Sequence, residues 1–211
     1  MPVPDETPIP FLDEPPRAPR ILSAFTPTLY VHGEIDQALS RRFVEALDEL
    51  RFGRQVTAAL VDIASDGGDY FALATMLSAM AGCRLPLATF ASGHAFSAAA
   101  VLLSAGRRGA RFMSPYGAAM IHGMITAHPP QGVEEVAGQT KFEEKLNRNL
   151  MGVFAKNCGT TLKRLESKIR EGGSRALWLL PDQARALGLV DHIGIPAVTQ
   201  QVSYDLEGLK V

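Results

Sequence analysis

At 211 residues, 46% hydrophobic and 20% charged, the chain has the make-up of one globular domain with a sizeable core. A formal net charge of −1 excludes the basic footprint of a nucleic-acid binder and a polybasic membrane surface. Cys83 and Cys158 are too few for a disulfide framework and lack CxxC spacing, so a reduced, cytoplasmic compartment is expected and each reads as a buried apolar residue.

Residues 1–20 carry Pro2, Pro4, Pro8, Pro10, Pro15, Pro16 and Pro19. Proline removes backbone donors and blocks helix, so this arm is expected to be extended or disordered unless it docks on a partner. No leader of basic then apolar residues is seen, and no window approaches 18 consecutive apolar residues, so neither a signal peptide nor a spanning helix is expected. Residues 21–211 read as a single domain.

Within it, strand and helix patterns alternate. Residues 28–32 read as a strand, and Leu39, Phe43, Leu47 and Leu50 recur at helical spacing over 37–52. Residues 58–63 read as a buried strand ended by a Gly67-Gly68 turn, and 70–81 as an apolar helix. Residues 87–90 form the next strand, a helix opens near Ser97 and runs to about Ala105, and short strands follow at 111–113 and 118–122. Residues 133–156 read as one long helix with an apolar stripe of Val136, Phe142, Leu146, Leu150 and Phe154. Such a helix lies against a partner subunit or on the surface; spacing alone does not choose. Successive βα units argue for an α/β fold with a mostly parallel sheet, whose functional groups gather at the carboxyl ends of strands.

Three pieces of chemistry fall in order along the chain. Ser65-Asp66-Gly67-Gly68-Asp69 supplies a glycine pair, Gly93-His94-Ala95-Phe96-Ser97-Ala98-Ala99-Ala100 places a serine among small residues, and Ala119-Met120-Ile121-His122 ends a strand on a histidine. A serine hydroxyl needs a base within hydrogen-bond reach, and histidine titrates in the useful range. Ser97 alone would read as a small or capping residue, and His122 alone as a hydrogen-bonded histidine at a strand end. Together they read as nucleophile and general base. Gly68 and Ala98 are the candidate N–H donors to an oxyanion; a tight turn needing positive φ is the other reading of the glycines. His94 beside Ser97 lines a substrate channel or fills space. His32, His128 and His192 show no metal-ligand spacing, so no metal and no cofactor is expected.

These residues resemble the proteolytic-subunit family of the Clp protease, ClpP. That family reads Ser-Pro-Gly-Gly-Ser, Gly-Gln-Ala-Ala-Ser-Met-Gly-Ala, Met-Ile-His and Gly-Leu-(Ile/Val)-Asp in this order. Its counterparts here are 65–69, 93–100, 120–122 and Gly188-Leu189-Val190-Asp191. The resemblance spans roughly residues 25–195. It implies a crotonase-like ββα-superhelix core with Ser97 as nucleophile, His122 as base, and Gly68 and Ala98 as oxyanion donors. It also implies that the long helix is a handle through which two heptameric rings stack into a chamber. Peptides or unfolded chains would be the substrate and an AAA+ unfoldase a partner, with no nucleic acid and no membrane involved.

The chain departs from the family at three places. The family's triad aspartate lies two residues before an aromatic, where this chain has Ala176 in Ala176-Leu177-Trp178-Leu179. The linker Arg170-Glu171-Gly172-Gly173-Ser174-Arg175 is about four residues longer than usual; it reads as a surface loop, with Glu171 or Ser174 as substitute orienting groups. No axial-loop segment is recognisable in residues 1–20. Losing a triad acid costs on the order of 10⁴-fold in kcat and leaves measurable catalysis. The leading expectation is therefore a ClpP-like serine endopeptidase. A non-catalytic or weakly active structural subunit and a crotonase-fold acyl-CoA enzyme are the rivals, the latter disfavoured because such enzymes usually rely on carboxylates.

Overall fold

The computed structural model describes residues 26–52, 56–124, 133–171 and 175–196. The proline-rich arm lies outside the described residues. β1 (Thr28–Ile35) leads into α1 (Gln37–Phe52), β2 (Ala59–Gly68) into α2 (Tyr70–Gly82), and β3 (Leu87–Phe96) into α3 (Ala98–Ser104). β4 (Arg111–Met113) and β5 (Ala118–His122) precede the long α4 (Val133–Asn157). The chain closes with α5 (Leu162–Glu171), β6 (Ala176–Leu179), α6 (Pro181–Leu187) and β7 (His192–Ile193). Among the described residues no helix is long and apolar enough to cross a membrane.

Five strands lie side by side in the order β1-β2-β3-β4-β7, all pairs parallel. The ten-residue length of β3 lets it serve two neighbours on one side. Thr89–Ala91 pairs with β4, and His94–Phe96 pairs with β5. β6 then adds antiparallel to β5. This α/β arrangement is the parallel sheet with covering helices that the alternating pattern predicts.

The core forms where apolar stripes converge on the sheet. α1 contributes Leu39, Phe43 and Leu47, and α2 contributes Leu73 and Met76. All seven residues of α3 are buried. Its Ala98-Ala99-Ala100 start lets its backbone approach the sheet, which larger side chains would prevent. Only the C-terminal part of α4 joins this core, through Met151, Phe154 and Ala155. Phe142, nearer its start, stays 55% exposed.

α2 begins where it does because the Asp69 carboxylate accepts from the Ala72 N–H at 2.7 Å and so caps the helix. The same carboxylate accepts from Gln37 Nε2 at 2.7 Å, tying the starts of α1 and α2 together.

The helix over 37–52 and the strands at 111–113 and 118–122 match their sequence patterns. Two strands are longer than their apolar runs. β2 continues through Gly67 and Gly68, which pair with Glu34 and Ile35 of β1. β3 continues through Gly93 and His94 to Phe96, held by β5. Polar and glycine residues interrupt the apolar pattern there, and ladder partners distant in sequence sustain the strand. The stretch over 170–175 is not a loop throughout: Arg170 and Glu171 end α5, while residues 172–174, including Ser174, lie outside the described residues.

Candidate active site

Ser97 sits at the carboxyl end of β3 with φ +53° and ψ −119°. It is the one non-glycine residue with positive φ among the described residues. Such a conformation costs on the order of 1–3 kcal/mol and persists only where surrounding contacts enforce it. Here the Ser97 N–H donates to the Met120 carbonyl at 2.7 Å. Its own carbonyl accepts from Ala100 and Val101 as α3 starts. No glycine turn intervenes between strand and helix; Ser97 itself makes the reversal.

Gly67 packs against this reversal. A Cβ on Gly67 would lie 2.7 Å from the Phe96 carbonyl oxygen, 2.8 Å from Ser97 Cβ and 2.9 Å from the Ala98 nitrogen. Only glycine fits, and its φ of +99° requires glycine as well. The buried Ser65 hydroxyl accepts from the Gly67 N–H at 3.1 Å and fixes the glycine pair. Sequence reasoning gave Ser65 no role, because one serine before a glycine pair carries no distinguishing signal.

His122 ends β5. Because β5 also supplies the Met120 carbonyl, one strand holds both the serine backbone and the histidine. Ser97, Ala98, Gly68 and His122 all line one cleft of about 520 Å³. The rest of the wall is mainly apolar, with Tyr70 and Phe71 from α2 and Phe142 and Leu146 from α4. Thus the four residues expected to act together, separated by up to 54 positions, are gathered in one place. The Ala98 N–H opens α3, where the first N–H groups of a helix lack intrahelical acceptors.

The third member is different. His122 Nδ1 contacts the carbonyl oxygen of Gly123, its own chain neighbour. A carbonyl only accepts, so Nδ1 is the donor in this contact, which in the neutral imidazole leaves the lone pair on Nε2. Ala176 stands directly opposite His122 in the β5–β6 ladder and has only a methyl group to offer. Glu171 accepts from the Ser167 hydroxyl at 2.9 Å on exposed α5, so it does not serve His122 in this arrangement.

The other histidines take separate positions. His94 Nε2 lies 3.3 Å from the Asp66 carboxylate at the cleft edge, and its ring packs on Phe96. His32 approaches Asp62 at 3.7 Å on the far face of the sheet, and His192 stacks on Phe112. His128 lies outside the described residues. Among the described residues no three His, Cys, Asp or Glu side chains gather as a metal site.

Asp191, from the last of the four motifs, is an architectural lock. It takes two hydrogen bonds from the buried Arg111 guanidinium, at 2.9 and 2.6 Å, and others from the Gly109 and Arg111 N–H groups. Burial raises its carboxyl, but Arg111 outweighs this and holds it below the usual carboxylate range. Cys158 is buried and its thiol is pushed up to about 12 by that burial, only partly offset by Arg111 and Arg108. It is an inert core group, whereas Cys83 is only partly buried.

The chain is similar to known proteins over most of its length. The family model described as Clp protease matches residues 19–196. The chain is 29% identical over 174 residues to the ATP-dependent Clp protease proteolytic subunit 1 of Rhodopirellula baltica, covering 80% of this chain and 73% of the relative. It is 27% identical over 171 residues to proteolytic subunit 3 of Rhodococcus jostii, covering 79% and 80%. With a family match over most of its length and an α/β core consistent with the ClpP-like fold, the chain belongs to the Clp protease family.

Proposed function

We propose that this protein is a serine endopeptidase in which Ser97 attacks the scissile carbonyl and His122 is its general base. The observation that carries this reading is the contact of His122 Nδ1 with the Gly123 carbonyl. With Nδ1 turned to the Gly123 carbonyl, Nε2 of the neutral ring is the lone-pair nitrogen a base needs. It lies in the same cleft as a serine held in a strained backbone turn. As Ser97 Oγ bonds to carbon, its proton passes to Nε2. The N–H groups of Gly68 and Ala98 take the negative charge that develops on the carbonyl oxygen. Collapse of the tetrahedral intermediate returns the proton to the leaving amine and leaves an acyl-serine, which water then hydrolyses by the same route reversed.

The chamber reading follows from α4. Its N-terminal half walls the cleft on one side yet leaves Phe142 more than half exposed, which supports ring assembly of several copies through this helix. Peptides or unfolded chains, delivered by an AAA+ unfoldase in the cytoplasm, are the substrates this arrangement fits. Reaction with a fluorophosphonate or β-lactone probe tests the reading, since Ser97→Ala is expected to abolish labelling. Wild-type protein that does not label would favour the second reading, a non-catalytic subunit, which the methyl group of Ala176 supports.

A further inference from the structure

We infer that Asn147 of α4 is the positioning residue for His122, acting through the Gly123–Met124 peptide. This rests on the Ser97–His122 reading above. The carbonyl of that peptide accepts the hydrogen bond from His122 Nδ1. The N–H of the same peptide belongs to Met124 and donates to Asn147 Oδ1 at 2.9 Å. A peptide unit is planar, so fixing its N–H fixes the direction of its C=O. A hydrogen bond drawn from the N–H also polarises the group and strengthens the carbonyl as an acceptor.

The peptide needs this support because β5 ends at His122 and leaves Gly123 and Met124 beyond the ladder. Gly123 adds no side chain to restrain it, and the Asn147 amide lies close enough that a Cβ on Gly123 would sit 3.4 Å from Oδ1. Asn147 is half-buried on the far side of this turn and does not line the cleft, so it touches neither Ser97 nor a substrate in the cleft. In serine hydrolases a carboxylate usually holds the imidazole in the correct tautomer. Here a neutral amide does so through one peptide, and the orientation of the base depends on the seating of α4.

The test combines labelling kinetics with the ¹⁵N spectrum of histidine-labelled protein, using Asn147→Ala, Asn147→Leu and Asn147→Asp. The first two remove the acceptor, Asn147→Leu while keeping bulk, and Asn147→Asp retains it. Asn147→Ala and Asn147→Leu are expected to slow fluorophosphonate labelling of Ser97 about tenfold, the worth of one such hydrogen bond. Probe affinity should be unchanged, and His122 should shift from a single Nδ1–H tautomer to a mixture. Asn147→Asp should stay within about threefold of wild type and keep the tautomer. Labelling unchanged in Asn147→Leu, or lost equally in Asn147→Asp, overturns the inference. If wild-type protein does not label, the peptidase reading fails by itself. The spectrum then decides on Asn147, and an unchanged Nδ1–H tautomer in Asn147→Leu overturns its role.

Discussion

His122 and Ala176 face each other directly across the antiparallel β5–β6 ladder. Directly opposed residues have Cβ atoms about 4.5–5.5 Å apart, a span that one carboxylate bridges. Ala176→Asp would therefore put a negative charge beside Nδ1, where it stabilises the imidazolium that forms as Ser97 loses its proton. A neutral carbonyl does this less well. We expect the labelling rate of Ser97 to rise about tenfold, a small part of the ~10⁴-fold such acids supply elsewhere. Ala176→Asn, without the charge, should give no gain. In the Ala176→Asp background, removing Asn147 should cost little, because the carboxylate takes over its task. A rate that does not rise would show that the ring cannot turn from Gly123 toward β6.

The backbone at Ser97 gives a second expectation, in which the usual order of two substitutions reverses. In an ordinary element glycine is less stable than alanine by about 0.5–1 kcal/mol. At φ +53° and ψ −119° an alanine keeps the strain of the serine, whereas glycine releases it. Ser97→Gly should therefore unfold at a higher temperature than Ser97→Ala, by about 2–4 °C per kcal/mol for a chain of this size. Both should fail to label. A lower Tm for Ser97→Gly would mean that the turn is not strained.

What was legible in the sequence divides along physical lines. α1 shows in the spacing of Leu39, Phe43 and Leu47 because its stripe faces the core. That Ser97, His122, Gly68 and Ala98 share one cleft is legible because their motifs fall at the carboxyl ends of successive strands. The ends of β2 and β3 are not legible, since Gly67, Gly68 and His94 owe their strand geometry to ladder partners elsewhere in the chain. Nor are Asn147 and the Gly123 carbonyl. A backbone carbonyl leaves no trace in composition, and an asparagine 23 residues after Met124 reads as one more polar position on an exposed helix.

Gly67 ties site and fold together. In Gly67→Ala the new methyl would meet the Phe96 carbonyl at 2.7 Å, a backbone atom that cannot swing aside, and alanine at φ +99° adds strain. We expect a loss of about 2–3 kcal/mol in stability, measured by urea denaturation. Labelling should fall further than stability explains, because the neighbours that must yield are Ser97 and Ala98 themselves. Gly188→Ala is the matched control. Its Cβ would lie 2.4 Å from the Cys158 carbonyl at φ +81°, away from the cleft, so it should lose similar stability without altering the labelling rate of folded protein.

The Arg111–Asp191 pair sets the acid limit of the fold. Asp191 has its carboxyl below the ordinary carboxylate value of 3.8 in the native state, because Arg111 outweighs the cost of burial. A depressed native value means that the unfolded chain binds this proton first. The stability from ionised Asp191 is thus fully present above the unfolded value and lost as pH falls below about 4 through the native one. Asp191→Asn should remove that part of the acid dependence, flattening the fall of unfolding free energy as pH drops below about 4. It should also cost about 3 kcal/mol near neutrality, since Arg111, only 4% exposed, would keep a buried charge without its partner. Arg111→Met with Asp191→Leu removes both charges and should recover most of that loss. Urea denaturation at several pH values checks all three; an Asp191→Asn protein with the wild-type acid slope would show that other carboxylates control acid unfolding.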